Sequence, residues 1–199
     1  GVVTRVQGLR WIEVTVEGAD RHAGTTPMDA RQDSLVIASQ MIIDLEKLGN
    51  EYMPDARVTV GRINVLPNSG STIPGKTTFN IDVRHPQELM LNQLEDRIKK
   101  ICQGAKLRRI IEMSPVDFDD SCVNNLREAA QLLEIPHRMM LSGALHDASP
   151  VSTRVPAAMV FVPCRDGISH NEAEWAKPEH LEAGCNVILH AMLSRAGVK

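Results

Sequence analysis

The chain has 199 residues, a formal net charge of −3, 43% hydrophobic and 24% charged residues, which is the ordinary range for a soluble globular protein of one or two domains. That balance offers no basic footprint, and Lys and Arg do not interleave with the 3% of aromatics as a nucleic-acid platform requires, so nucleic acid is excluded as a partner. The longest apolar run falls far short of the ~18 residues that span a bilayer, and no charged-then-apolar leader pattern opens the chain, so no membrane role is expected.

Gly1-Val2-Val3-Thr4 reads like the middle of a strand, which is the expectation for part of a longer polypeptide. From Trp11 to Glu17, Ile12, Val14 and Val16 alternate with Glu13, Thr15 and Glu17, the two-residue period of a half-buried strand. Arg21-His22-Ala23-Gly24-Thr25-Thr26-Pro27-Met28 follows, with Asp29, Arg31 and Asp33 behind it. A histidine beside a glycine, two hydroxyls and a helix-opening proline makes a joint that presents side chains. Two readings of His22 stand at this point: a turn histidine hydrogen-bonded to backbone, or a functional group.

Asp29 to Lys47 is predicted as a helix with Leu35, Ala38, Ile42, Leu45 and Leu48 on one face, ended by Gly49-Asn50. Arg57 to Leu66 is a strand whose phase shifts at Gly61-Arg62, as a bulge does. After the loop Pro67 to Ser71, Lys76 to His85 places Phe79, Ile81 and Val83 on a core face and Asn80, Asp82 and Arg84 on the other. A helix with Leu91, Leu94, Ile98 and Ile101 and a strand Leu107 to Met113 complete a βαββαβ order, the ferredoxin-like arrangement.

Beyond Pro115 the pattern becomes that of an α/β layer: a helix from Ser121 to Leu133, a strand Arg138 to Leu141, a continuously apolar strand Ala157 to Val162, and a last helix from Pro178 to Gly197. That helix carries Leu181, Cys185, Ile188 and Met192 on one face. Two strands and two long helices cannot cover both sides of a parallel sheet, so this segment is expected to be half of a domain. The expected boundaries are 1–7 for the end of a preceding segment, 8–115 for the βαββαβ domain and 116–199 for that half domain.

Loops leaving the carboxyl ends of neighbouring strands in such a layer converge, which predicts that His146, Asp147 and His170 share a site. The bland alternative is that these residues cap the following helices, Asp147 above all. Imidazole is a favoured zinc ligand, but no His-x-x-x-His or Glu-Glu pair completes a set, and a catalytic zinc needs at least three protein ligands. Arg84 can hold a carboxylate bidentately or pair with Asp82 along its own strand. Cys102, Cys122, Cys164 and Cys185 are scattered, as suits reduced thiols in a cytoplasmic protein.

Gly18 to Met28, Pro67-Asn68 with Ile73-Pro74-Gly75, Phe79 to Arg84, Ser142 to Ala148, and Gly167-Ile168-Ser169-His170-Asn171 together resemble the amidase/hydantoinase/carbamoylase family of the zinc exopeptidase superfamily. The resemblance covers nearly the whole chain. It implies an α/β fold in which a βαββαβ lid or dimerisation domain precedes the C-terminal part of a metal-dependent catalytic domain. The implied activity is hydrolysis of non-peptide C–N bonds of ureido or carbamoyl carboxylates, such as N-carbamoyl-L-amino acids or allantoate. The implied cofactors are two divalent ions, zinc or alternatively manganese or cobalt, and the implied assembly is a homodimer through the lid.

By the same resemblance His22 is the lid histidine that polarises the scissile carbonyl across the dimer. Arg84, Asn68, Ser71, Gly143 and His146 are substrate-side residues, and His170 is the one metal ligand matched. Ser71 stands where the family usually has Asn, and Leu145 stands where it tends to have Gly, a bulky side chain that could crowd the loop. A non-catalytic dimerisation module and an aminoacylase or aminopeptidase of the same superfamily are the alternatives.

Overall fold

The computed structural model of the protein describes residues 1–197. In chain order the elements begin with strands β1 (Val2–Val6), β2 (Gly8–Glu17) and β3 (Arg21–His22), helix α1 (Ser34–Glu51), and strands β4 (Arg57–Leu66), β5 (Thr72–Ile73) and β6 (Lys76–His85). They continue with helix α2 (Glu88–Ile101), strands β7 (Lys106–Met113) and β8 (Val116–Asp117), helix α3 (Asp120–Leu132), strand β9 (Met139–Ser142), helix α4 (Ala148–Ser152), strand β10 (Met159–Val160) and helix α5 (Pro178–Ala196). Gly8–Pro115 forms one compact unit; Gly1–Gln7 and the chain from Val116 onward form the other.

The first of these is an antiparallel sheet in the order β4-β6-β2-β7. The central ladder runs from Gly8 opposite His85 to Glu17 opposite Lys76. Alternation puts Ile12, Val14 and Val16 of β2 and Phe79, Ile81 and Val83 of β6 on one face, where they bury against Ala38, Leu45 and Leu48 of α1 and Leu91, Leu94 and Ile98 of α2. The register of β4 on β6 shifts between Val60 and Arg62, the expected bulge.

Helix α1 begins later than its sequence suggests. Asp33 accepts hydrogen bonds from the N–H groups of Leu35 and Val36 and so caps the helix, while Met28–Ala30 turns separately as a short 3-10 segment. The helix also runs through Gly49 to Glu51, and its buried face is Ser34, Ala38, Met41, Leu45 and Leu48. An Asp cap outranks the pattern upstream because it satisfies donors that a helix start leaves open.

One buried charge has no counterpart in the periodicity. Arg10 is only 2% exposed, yet it sits on the core face of β2. Its guanidinium donates to Glu95 at 2.8 Å, Glu88 at 2.5 Å and Asn92 at 2.7 Å, and Glu112 stands at 3.6 Å. Glu95 is held in addition by Arg109 and Lys99. Burial of an ion is tolerated only with this kind of pairing.

In the other unit β1 is the middle strand. β9 pairs with it in parallel, whereas β10 and β8 pair antiparallel along its first and second halves. The sheet is therefore mixed, not the parallel layer expected, and the apolar run Ala157 to Val162 contributes only Met159–Val160 as strand. The core joins Val2, Val3 and Val6 to Phe118, Val123, Leu126, Ala129 and Ala130 and to Val187 and Ala191 of α5. The apolar face read for α5 is bare: Leu181, Ile188 and Met192 are large exposed apolar residues, and Cys185 is exposed too. The helix is apolar on more than one side, so periodicity alone could not choose the covered one. All four cysteines are free, and burial pushes the Cys102 thiol up to about 11. Among the described residues no helix is long and apolar enough to cross a membrane.

Candidate functional site

In the unit Gly8–Pro115 the site is built on a two-stranded ribbon. β3 pairs with β5, Arg21 opposite Ile73 and His22 opposite Thr72. The ribbon is tied down at its base: Gly18 donates to Gly75 O at 2.7 Å, and Asp20 Oδ1 accepts from Gly75 N–H at 2.6 Å. A Cβ on Gly75 would lie 2.3 Å from Asp20 Oδ1, so only glycine allows this approach.

Beyond the ribbon the chain curls back on His22. Thr26 N–H donates to His22 O at 3.2 Å, and the N–H groups of Gly24 and Thr25 donate to His22 Nδ1 at 3.0 and 3.3 Å. A ring nitrogen facing two donors must present its lone pair, so the neutral ring carries its proton on Nε2. His22 is exposed, and among the described residues Nε2–H has no protein acceptor. The bland reading of His22 is thus correct for one ring nitrogen and leaves the other available.

The same fold brings Ser71 to His22, since Ser71 O accepts from Ala23 N–H at 2.8 Å. Asn68 lies in the adjoining loop with φ of 59°. Arg84 is elsewhere. It stands near the Gly8 end of the central ladder, about 27 Å along an extended strand from Lys76, where the ribbon begins. Its guanidinium forks onto Asp82 through Nε at 2.8 Å and Nη2 at 2.7 Å, which is the intrastrand pair the sequence allowed.

In the other unit Gly143 accepts from Gln7 Nε2 at 2.8 Å. Ser142 Oγ donates to Ala144 O at 2.7 Å, closing the turn. His146 packs edge-on against Phe161 with ring centroids 5.2 Å apart, and its Nε2 is buried without a hydrogen-bond partner. Leu145, the bulky departure in this loop, packs half-buried against the unit's core. Asp147 precedes α4 but makes no side-chain cap.

His170 has φ of 56°, and its N–H donates to Glu174 Oε2 at 3.1 Å. The expected convergence of His146, Asp147 and His170 does not follow from the sheet. β9 and β10 lie on opposite sides of β1 and run in opposite directions, so their loops leave from opposite ends of it. Among the described residues no three His, Cys, Asp or Glu side chains are grouped to hold a metal ion, so a two-ion centre does not fit this chain's own donors.

Residues 11–194 match peptidase family M20/M25/M40. The chain belongs to that family. The N-carbamoyl-L-amino-acid amidohydrolase of Paenarthrobacter aurescens is 38% identical over 200 residues, covering 96% of this chain and 48% of that protein. The allantoate amidohydrolase of Bacillus subtilis is 36% identical over 196 residues, covering 94% of this chain and 48% of that protein. Among solved structures, an amidase of the hydantoinase/carbamoylase family from Burkholderia vietnamiensis superposes with a TM-score of 0.91 at 44% identity, covering 98% of this chain and 49% of that one. The chain thus spans about half the length of the curated relatives it matches. Family members are generally metal-dependent.

Two contributors leave no signal in the sequence. Asp20 leaves none because its partner, Gly75, is far along the chain. Arg31 lies between two aspartates, a pattern that suggests ion pairs rather than the backbone contacts it makes.

Proposed function

We propose that this chain serves a metal-dependent hydrolase of ureido or carbamoyl carboxylates, such as N-carbamoyl-L-amino acids or allantoate, acting with the half of the family architecture that it does not match. The observation that carries the reading is His22 with Nδ1 tied to two backbone amides and Nε2–H open. Such a donor can stabilise the negative charge that develops on a carbonyl oxygen under attack, without reorganising when the reaction occurs. Ser71 and Asn68 line the same ribbon and contact substrate. Arg84, oriented by Asp82, grips the substrate carboxylate, and Gly143 and His146 form a further substrate-side loop.

His170 is the single ligand this chain offers to the two divalent ions, zinc or alternatively manganese or cobalt; the other donors lie outside it. Bound ions would supply an activated water and polarise the carbonyl. The working assembly is a cytoplasmic homodimer through the unit Gly8–Pro115, with His22 acting across it. Support comes from the free edge of β4, where Ile63 and Leu66 are exposed. The opposite edge, β7, carries Lys106, Arg108 and Arg109, the charges that discourage edge pairing.

The test is ammonia release by the complete enzyme from allantoate, N-carbamoyl amino acids and dipeptides. Ureido substrates should be turned over and dipeptides not; the reverse would make it an aminopeptidase or aminoacylase, and no turnover of any would leave a binding module. His22→Ala should lower kcat by roughly 10²–10³, the cost of one oxyanion donor. Mixed with His170→Ala it should recover up to about a quarter of wild-type activity if His22 acts in trans, since half of randomly formed dimers then hold one intact site of two.

A further inference from the structure

Arg31 makes no ion pair with Asp29 or Asp33. Its Nη2 donates to Ala23 O at 2.7 Å and to Thr26 O at 3.0 Å, and its Nε donates to Thr26 O at 3.2 Å. The two carbonyls it grips bracket the residues whose N–H groups face His22.

Geometry links the two sets of bonds. The carbonyl of Ala23 and the N–H of Gly24 belong to one planar, trans peptide, so they point in opposite directions. Drawing Ala23 O toward Arg31 therefore turns Gly24 N–H toward His22 Nδ1. The contact at Thr26 O holds the far end of the loop, where Thr26 N–H already closes on His22 O. A guanidinium is suited to this because its rigid fork addresses two acceptors at once, which a lysine ammonium on a flexible stem does less well. Gly24 completes the arrangement: a Cβ there would lie 3.2 Å from His22 Cε1 and press on the ring.

We propose that Arg31 is a positioning residue that sets the tautomer of His22: by holding Ala23 O and Thr26 O, it keeps two N–H donors on Nδ1 and the ring proton on Nε2. The functional consequence rests on the reading of His22 as an oxyanion donor, but the positioning itself does not. Without the clamp the peptide after Ala23 is free to rotate, Nδ1 loses its donors, and the ring can carry its proton on either nitrogen.

The experiment is nitrogen-15 NMR of the histidine side chains in this 199-residue chain, at about pH 8, above the ordinary histidine range, with His22→Gln assigning the signals. Wild type should show His22 as a single Nε2–H tautomer. Arg31→Gln should lose that single-tautomer signature and gain an Nδ1–H population, while Arg31→Lys should fall between the two. Amide spectra and melting temperature serve as controls, because a merely structural arginine would change stability without changing the tautomer of a folded chain.

A wild-type His22 that is not Nε2–H, or an Arg31→Gln chain that remains folded with His22 unchanged, overturns the proposal. Should Arg31→Gln not fold, Arg31→Lys decides by the same criterion. If the tautomer shifts as expected but kcat of the complete enzyme is unchanged by His22→Ala, the positioning stands and the catalytic reading of His22 falls.

Discussion

In the unit Gly8–Pro115 both long helices cover one face of a regular ladder, and the apolar stripes read from the sequence in β2, β6 and α2 all join one core. In the unit that begins at Gly1, α5 buries Val187 and Ala191 and leaves Leu181, Ile188 and Met192 in solvent. The difference teaches what periodicity can carry. It tells which residues share a face; it tells which face is covered only when the other is polar.

The comparison breaks most sharply at Arg10. Arg10→Ala removes a buried side chain and one of the cations that hold Glu95, and should cost about 3–5 kcal/mol in the unit Gly8–Pro115. Arg10→Met, which keeps the volume, should return more than half of that. The two tryptophans make the measurement direct, since Trp11 reports on one unit and Trp175 on the other. Urea unfolding followed by fluorescence in Trp175→Phe and Trp11→Phe backgrounds should show the loss at Trp11 only. An equal loss at Trp175 would mean that the units unfold together.

A smaller effect is expected at the ribbon. Gly75→Ala places a methyl group against Asp20, forcing the turn or the carboxylate to move, at a cost of about 1–3 kcal/mol. The loss should again appear at Trp11, and hydrogen exchange of Gly18, Ala23 and Gly75 amides should accelerate more than that of the ladder between β2 and β6. Uniform acceleration would show that the ribbon and the sheet open as one.

Titration sharpens the contrast further. Burial pulls the imidazole of the 4%-exposed His85 below its ordinary pKa, against the opposing charge of Asp55. The unfolded chain then binds more protons between the folded pKa and about 6.5, so this stabilisation is complete above about pH 6.5 and is lost as pH falls to the folded value. Glu95 acts at lower pH: burial pushes it up, but hydrogen bonds and charges from Arg109 and Lys99 bring it below its ordinary value. Its contribution is complete above about pH 4.3 and is lost as pH falls through the lowered pKa. Stability reported by Trp11 should therefore decline in two stages on acidification, and His85→Gln should remove the upper one. An unchanged upper stage would assign it to another group.

How much of the molecule was legible follows the same line. The alternation in β2 and β6 and the phase shift at Gly61-Arg62 gave strands, faces and bulge because one face of that sheet is apolar and the other polar. The run Ala157 to Val162 has no period, so nothing in it says that only Met159–Val160 pairs with β1. The His22 joint was visible as a histidine among turn formers, but its two anchors were not. Arg31 binds carbonyls, which every residue has, and Asp20 binds an amide far along the chain. The expected meeting of His146 and His170 rests on a feature of the same kind, the relative direction of β9 and β10, and strand direction leaves no mark on composition or period.

The smallest effect expected is at α5, and it tests the comparison from the other side. Leu181 is 50% and Met192 64% exposed, so neither loses much contact with its own unit when replaced. Leu181→Glu and Met192→Glu should each change stability in the Trp175 transition by less than about 0.5 kcal/mol, the ordinary range for surface positions. Val187→Ala, on the buried side of the same helix, should cost more, because Val187 is 4% exposed in a core with Val2, Val3 and Ala130 and its removal leaves a cavity. In a complete enzyme the order can change. If the half of the architecture absent from this chain covers α5, Leu181→Glu would become as costly there as Val187→Ala, whereas a small effect in both contexts would leave that face as true surface.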